Sequence, residues 1–208
     1  MLYDNVEFSK SGWIHRNRIM INGNIKYISL SLKKDSDYKM IGEREISPLF
    51  FEKNRIKILR QVENSYRNAE QFTTVMPLIN EAMNCNHTNL FDYLHHTINV
   101  IFDYLDIQPQ IVKSSEIELS HQLPATEKLI AFCNIFEANR LINPIGGMKL
   151  YDKSDFLEKG IQLSFLEPTV INYKNRDGEV PSHLSIIDLL MNNSRDTIEG
   201  MLDNFKLV

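Results

Sequence analysis

Arg16 and Arg18 stand one residue apart in Trp13-Ile14-His15-Arg16-Asn17-Arg18, a charged run set inside an apolar-rich segment. If that segment is a strand, alternate residues share a face. Arg16 and Arg18 then project to one side, flanked by Ile14 and Met20, while His15, Asn17, Ile19 and Ile21 project to the other. Two neighbouring guanidiniums repel unless an anion lies between them, and their planar, permanently charged forks match phosphate and carboxylate groups. The chemistry this points to is capture of a phosphorylated ligand. The alternative is a pair of surface arginines matched by acidic neighbours such as Glu7 or Glu43. His15, next to Arg16, can act as an acid or base near neutral pH.

Asp188 is the second candidate. It lies in Leu184-Ser185-Ile186-Ile187-Asp188-Leu189-Leu190-Met191, a helical pattern in which Leu184 and Met191 share its face. An unpaired carboxylate in such apolar surroundings is costly to bury. It calls for a buried donor, Arg16 or Arg18 among the options, or for a place at the edge of a site. The third candidate is Gly146-Gly147, where the backbone can approach a ligand closely or make a tight turn. The pair lacks the further glycine or the Gly-Lys-Ser/Thr of the dinucleotide and P-loop fingerprints. Among the other histidines, His95 shares a face with Phe91, Ile98 and Phe102 and belongs at the core edge, whereas His96 shares one with Asp92, Asn99 and Asp103 and belongs in solvent. Spacing assigns no Ser-His-Asp or Cys-His set, because such sets are recognised in space.

These residues must be carried by particular elements. Asn22-Gly23 between two apolar-rich runs predicts a type I′ hairpin, since both residues tolerate positive φ. Residues 2–8 read as a strand before it and residues 33–50 as a loop-rich connection containing Gly42 and Pro48. Helical spacing follows at Ile56, Leu59, Val62 and Tyr66, then in a short apolar helix starting near Pro77. A longer amphipathic helix covers 88–105, capped by Thr88. Ile111-Val112 reads as a short strand. Thr126 caps a helix whose apolar face includes Leu129, Ile130, Cys133 and Phe136. Strands at 140–143 and 161–165 enclose the glycine pair. Short apolar strands joined by a helix-bearing crossover define an α/β fold. The expected architecture is one domain over 1–208, a mixed sheet covered by helices with the N-terminal hairpin as its antiparallel part.

Composition narrows the function classes. The chain has 208 residues, 43% hydrophobic and 24% charged, with a net charge of −4. That suits a globular domain with a real core and argues against a general nucleic-acid binder. Cys85 and Cys133 have no short-range partner, which suggests a reducing compartment. No signal-peptide pattern opens the chain and no apolar run approaches 18 residues, so we expect a cytoplasmic protein with no membrane insertion.

Trp13 to Arg18, Gly146-Gly147-Met148-Lys149-Leu150-Tyr151-Asp152 and the Leu184 to Asp188 helix, in that order and approximate spacing, resemble the bacterial WbqC-like family, as does the Ala125-Thr126-Glu127-Lys128-Leu129 helix start. The resemblance covers nearly the whole chain and continues from Met191-Asn192-Asn193-Ser194 through Leu202. It implies a role in surface-polysaccharide synthesis such as that of O-antigen, by acyl or aminoacyl transfer to a nucleotide-linked amino sugar, with other enzymes of that synthesis as partners. Neither the residues nor the resemblance identifies a cofactor. In this reading Arg16, Asn17 and Arg18 meet the diphosphate, Gly146 and Gly147 admit backbone contacts, and Tyr151 stacks on a base or sugar. His15 and Asp188 are the candidates to take the proton from the attacking amine. Family members usually begin upstream with a strand and a Gln-Pro-Tyr segment that this chain lacks, and often have Asn where it has His15. The missing segment leaves open a non-catalytic, nucleotide-sugar-binding or partner subunit.

Overall fold

The computed structural model describes residues 1–120, 122–169, 173 and 183–208. The chain divides into two compact units, Met1–Glu116 with Asn172–Gly200, and Ile117–Ile171 with Met201–Val208. Its class is mixed α/β, as the alternation of strand and helix patterns predicts.

In the first unit the hairpin forms as expected. β1 (Arg16–Ile21) and β2 (Asn24–Ser29) are antiparallel, pairing Arg16 with Ser29 and Ile21 with Asn24. The turn needs positive φ twice, and Asn22 (51°) and Gly23 (71°) supply it. The hairpin is a two-stranded sheet of its own, not the edge of the larger one. A bare hairpin is marginal in water, so packing must hold it. Ile19 is fully buried against Phe50, Val62, Leu190 and other apolar side chains of one core cluster. A fully buried side chain of this size is worth about 1.5–3 kcal/mol.

The helices of this unit are α1 (Arg55–Tyr66), α2 (Phe72–Met83), α3 (Leu90–Tyr104), α6 (Ile186–Asn192) and α7 (Arg195–Met201), the last ending one residue past the unit boundary. A π-helical turn at Phe50–Asn54 precedes α1. Its extra residue rotates the face that follows by about 100°. Ile58, Val62 and Tyr66 are buried, while Ile56 is exposed. Pro77 lies inside α2 rather than at its start, and Phe72 begins the helix. The cap of α3 is Asn89, whose side chain accepts the Asp92 N–H. Thr88 instead gives its carbonyl to Ile46 N–H. Residues 2–8 and 111–112 form no strands, only isolated bridges from Leu2 to Lys113 and from Glu7 to Met40. A side chain joins the two segments instead: the Asp4 carboxylate accepts the Ser115 N–H at 3.0 Å and both serine hydroxyls, Ser114 and Ser115. Such side-chain bonds compete with a ladder.

The second unit has a three-stranded sheet ordered β3 (Arg140–Pro144), β4 (Gln162–Pro168), β5 (Phe205–Leu207). β3 and β4 are parallel, with Leu141 opposite Leu163, and β5 is antiparallel to β4. The antiparallel member of the mixed sheet is therefore the C-terminal β5, not the early hairpin. Between β3 and β4 run a 3-10 helix (Ile145–Lys149) and α5 (Lys153–Leu157). α4 (Ala125–Ile135) starts directly after Pro124, with no side-chain cap. Thr126 thus sits inside the first turn. Leu129, Phe132, Cys133, Phe156, Ile161, Leu163 and Phe165 are buried, and Phe136 is exposed beyond the helix end.

Candidate functional site

The hairpin presents its arginines as the alternation predicts. Tyr27 is the cross-strand partner of Arg18 and shares its face. Trp13 stacks on Tyr27 with ring centroids 6.0 Å apart and planes 22° apart. The Arg16 guanidinium lies 5.5 Å from the Trp13 ring and 5.4 Å from the Tyr27 ring. That of Arg18 lies 5.1 Å from the Trp13 ring. Backbone carbonyls fix both: Arg16 donates to Gly12 O at 3.0 Å and to Ser11 O, and Arg18 donates twice to His183 O at 3.1 and 2.8 Å. Ring faces and carbonyl dipoles thus offset the repulsion between the cations. Among the described residues no ion pair joins Arg16 to Glu7 or Glu43. The Glu43 carboxylate accepts the Met40 N–H instead.

Trp13, His15, Arg16 and Asn17 line a cavity of about 250 Å³, closed on its inner side by Ile58 and Tyr93. The His15 ring packs 5.2 Å from Phe8, and its Nδ1 is buried with no protein partner. Burial, and then the charge of Arg16, lowers the His15 pKa. The imidazole is therefore neutral at neutral pH.

Asp188 belongs to a second and more polar cavity of the same unit. It is fully buried on α6, and Ser185 caps that helix through the Ile187 N–H. Its Oδ2 accepts the Tyr66 hydroxyl at 2.7 Å, and its Oδ1 accepts the Tyr173 hydroxyl at 2.7 Å. Asn192 Nδ2 lies 3.4 Å from Oδ1. The Tyr66 oxygen also accepts the Met20 N–H at 3.2 Å, which ties the group to β1. Burial first, and the Asp188 charge with it, pushes the Tyr66 hydroxyl pKa well up, and Tyr173 is raised by burial and its bond to Asp188. Both phenols are therefore proton donors at any physiological pH. The cavity measures about 540 Å³, with Asn64, Ser65, Asn68 and Asn192 around Tyr66 and Asp188. The expected Arg16 or Arg18 partner is not the one used. Arg18 meets α6 through its backbone carbonyl, which accepts Ser185 N–H at 2.7 Å, while its side chain turns to His183 O.

Arg16, Asn17 and His15 are thus gathered at one cavity, and Asp188 lines another. Gly146, Gly147 and Tyr151 lie in the second unit. There both glycines sit in the 3-10 helix after β3, and Tyr151 packs edge-on to Phe156 at 6.2 Å. A Cβ on Gly147 would come 2.7 Å from Asn143 Nδ2 and 3.4 Å from the Tyr151 ring, whereas one on Gly146 meets nothing. His95 stacks on Phe91 at the core edge as expected, but His96 is half-buried, 3.4 Å from Glu81 O. Among the described residues no group of His, Cys, Asp and Glu is arranged to hold a metal ion, and no helix is long and apolar enough to cross a membrane.

Sequence reasoning missed Tyr66 and Tyr173 as partners of Asp188, and Trp13 and Tyr27 as partners of the arginines. Tyr66 reads only as a core position of a helix. Tyr27 was legible from the hairpin register, which sets it across from Arg18.

The model of the WbqC-like protein family matches residues 1–200. The chain belongs to that family. Both cavities of this WbqC-like protein fall within the matched residues. The chain is also 26% identical over 198 residues to the uncharacterized protein Rv1507c of Mycobacterium tuberculosis, an alignment covering 92% of this chain and 82% of the relative. No solved structure matches it.

Proposed function

We propose that this WbqC-like protein acts in the synthesis of surface-polysaccharide precursors such as those of O-antigen, transferring an acyl or aminoacyl group to the amine of a nucleotide-linked amino sugar. The observation that carries the reading is the Tyr66–Asp188 pair on the wall of a polar cavity. The substrate amine attacks the carbonyl carbon of an activated acyl ester or thioester, forming the C–N bond. Its surplus proton passes to the Tyr66 oxygen as the phenol proton moves to Asp188 Oδ2. The tetrahedral intermediate then collapses, and the C–O or C–S bond to the leaving group breaks with its electron pair. Asp188 returns the proton through Tyr66 to that leaving group or to water. Tyr173 and Asn192 hold the carboxylate in place.

The two cavities meet different parts of such a substrate. Arg16 and Met20 lie on one face of β1, four residues or about 13 Å apart. Arg16 lines the first cavity and Met20 the second. A nucleotide sugar lying along the strand places its diphosphate near the arginines and its amino sugar near Tyr66. His15 then contacts the ligand beside the phosphates.

The test is incubation of the purified chain with nucleotide-linked amino sugars and activated acyl or aminoacyl donors, followed by mass spectrometry. Tyr66→Phe and Asp188→Asn should each lower kcat by about 10²–10⁴ with little change in binding. Turnover unaltered in both variants would remove the pair from the mechanism. A second reading, a non-catalytic nucleotide-sugar-binding or partner subunit, is favoured by the complete burial of Asp188 and the occupation of both its oxygens by phenols. It requires saturable binding with no transfer to any acceptor.

A further inference from the structure

Trp13 is the only tryptophan of the chain, and 54% of it is exposed at the rim of the first cavity. Tyr27 lies against it and is itself 56% exposed. Trp and Tyr, with an apolar body and a polar tip, are enriched where a protein meets a partner, and here the two are stacked on each other and half in solvent. The rings are held by the hairpin, and the guanidiniums lie over them, Arg16 over both and Arg18 over Trp13, so a base must take the exposed ring surface beside the cations. Arg16 uses two of its five N–H donors on backbone carbonyls, which leaves donors for an anion. Inside the rim, the partnerless Nδ1 of His15 offers one more polar contact.

A ligand that needs all of this is flat and anionic at once. A sugar ring stacks on an indole but has no use for two guanidiniums. A bare phosphate uses the guanidiniums but not the rings. At about 250 Å³ the cavity is smaller than the roughly 300–1,000 Å³ that encloses a whole drug-sized ligand, so it holds one part and leaves the rest on the rim. We propose that Trp13 and Tyr27 are the stacking platform for the base of a nucleoside diphosphate whose phosphates bind Arg16 and Arg18. The proposal rests on the function given above and puts the base and diphosphate on the exposed face of the hairpin, at the mouth of the cavity that Trp13 and Arg16 line. Stacking tolerates any base, because every base has a π-face, so the platform alone does not choose among nucleotides.

As Trp13 is the one indole, its fluorescence reports the platform directly. The emission is titrated with UDP, ADP, GDP and CDP, and separately with uridine, inorganic pyrophosphate and N-acetylglucosamine. The expected result is saturable quenching by at least one nucleoside diphosphate, with the nucleoside and pyrophosphate at least tenfold weaker. Arg16→Ala should weaken that diphosphate about tenfold to a hundredfold, more at low salt than at high. Tyr27→Leu, which keeps an apolar side chain at an exposed strand position, should weaken it severalfold while circular dichroism shows the fold retained. Quenching by pyrophosphate or N-acetylglucosamine as strong as that by every diphosphate would overturn the proposal, as would no saturable response to any of the four.

Kinetics separate this from the reaction itself. A diphosphate that quenches Trp13 in a chain with no transfer activity sinks the transferase reading and leaves the platform standing. Acyl transfer to a nucleotide-linked amino sugar whose KM is unmoved by Trp13→Leu does the opposite.

Discussion

The Tyr66 hydroxyl donates to Asp188 Oδ2 at 2.7 Å across 122 residues of sequence, and the same oxygen accepts the Met20 N–H. One phenol therefore joins α1, α6 and β1. Tyr66→Phe leaves a buried N–H and one side of a buried carboxylate without their partner, a loss of about 1–3 kcal/mol. Asp188→Asn leaves one acceptor oxygen for two phenols and should cost a similar amount. Because the residues share one bond, the double variant should lose less than the sum, with a coupling energy of about 0.5–3 kcal/mol in urea denaturation. Additive losses would mean that the two do not act as a unit.

Burial of three phenols makes the protein sensitive to base. Tyr66, Tyr173 and Tyr93 all have hydroxyl pKa values raised from the ordinary 10.0, each chiefly by burial. In the unfolded chain they ionise near pH 10, while in the folded one they remain protonated. The folded state then binds more protons, so stability is fully present below pH 10 and falls as pH rises above it. Tyrosinate absorbance near 295 nm should rise in two stages, the exposed rings first and these three together with loss of helical circular dichroism. Ionisation of all eight tyrosines without unfolding would contradict the burial.

What could be read beforehand follows from how local each determinant is. Asn22-Gly23 dictates the hairpin because positive φ is a property of two adjacent residues. α3 was legible from its apolar stripe, but its cap was not. Thr88 and Asn89 are both competent, and the choice falls to Asn89 because the Thr88 carbonyl is taken by Ile46 while the Asn89 amide also reaches Gly42 O. β5 escapes any pattern, being three residues long and exposed throughout. Asp188 was legible as a carboxylate in need of a donor. Its donors were not, since nothing in spacing links position 188 to positions 66 and 173.

Asp4 sets the response to acid. Burial alone would raise its pKa, but the Ser115 hydroxyl and N–H and the Ser114 hydroxyl outweigh it, and the carboxyl ends below its ordinary 3.8. A depressed folded pKa contributes stability that is present above the unfolded value and is lost as pH falls through the folded one. Unfolding midpoints of the parent should therefore drop below about pH 4, and Asp4→Asn, less stable at pH 7, should show a shallower decline. Parallel pH profiles for the two would remove Asp4 from the acid response.

Gly146 and Gly147 adjoin in sequence but should respond in opposite directions. Neither has positive φ, so alanine suits both backbones. At Gly146 a methyl group meets open space, and restricting the unfolded chain should stabilise the protein by about 0.4–1 kcal/mol. At Gly147 the methyl would sit 2.7 Å from Asn143 Nδ2, so the amide must swing away while the Tyr151 ring at 3.4 Å limits the room. Gly147→Ala should therefore gain nothing or lose up to about 1 kcal/mol, and Asn143→Ala should restore the gain in the double variant. Thermal denaturation of the four proteins decides it. If Gly146→Ala raises the melting temperature yet weakens nucleotide-sugar binding, that glycine is kept for close approach of a ligand, because its own fold would be better served by alanine.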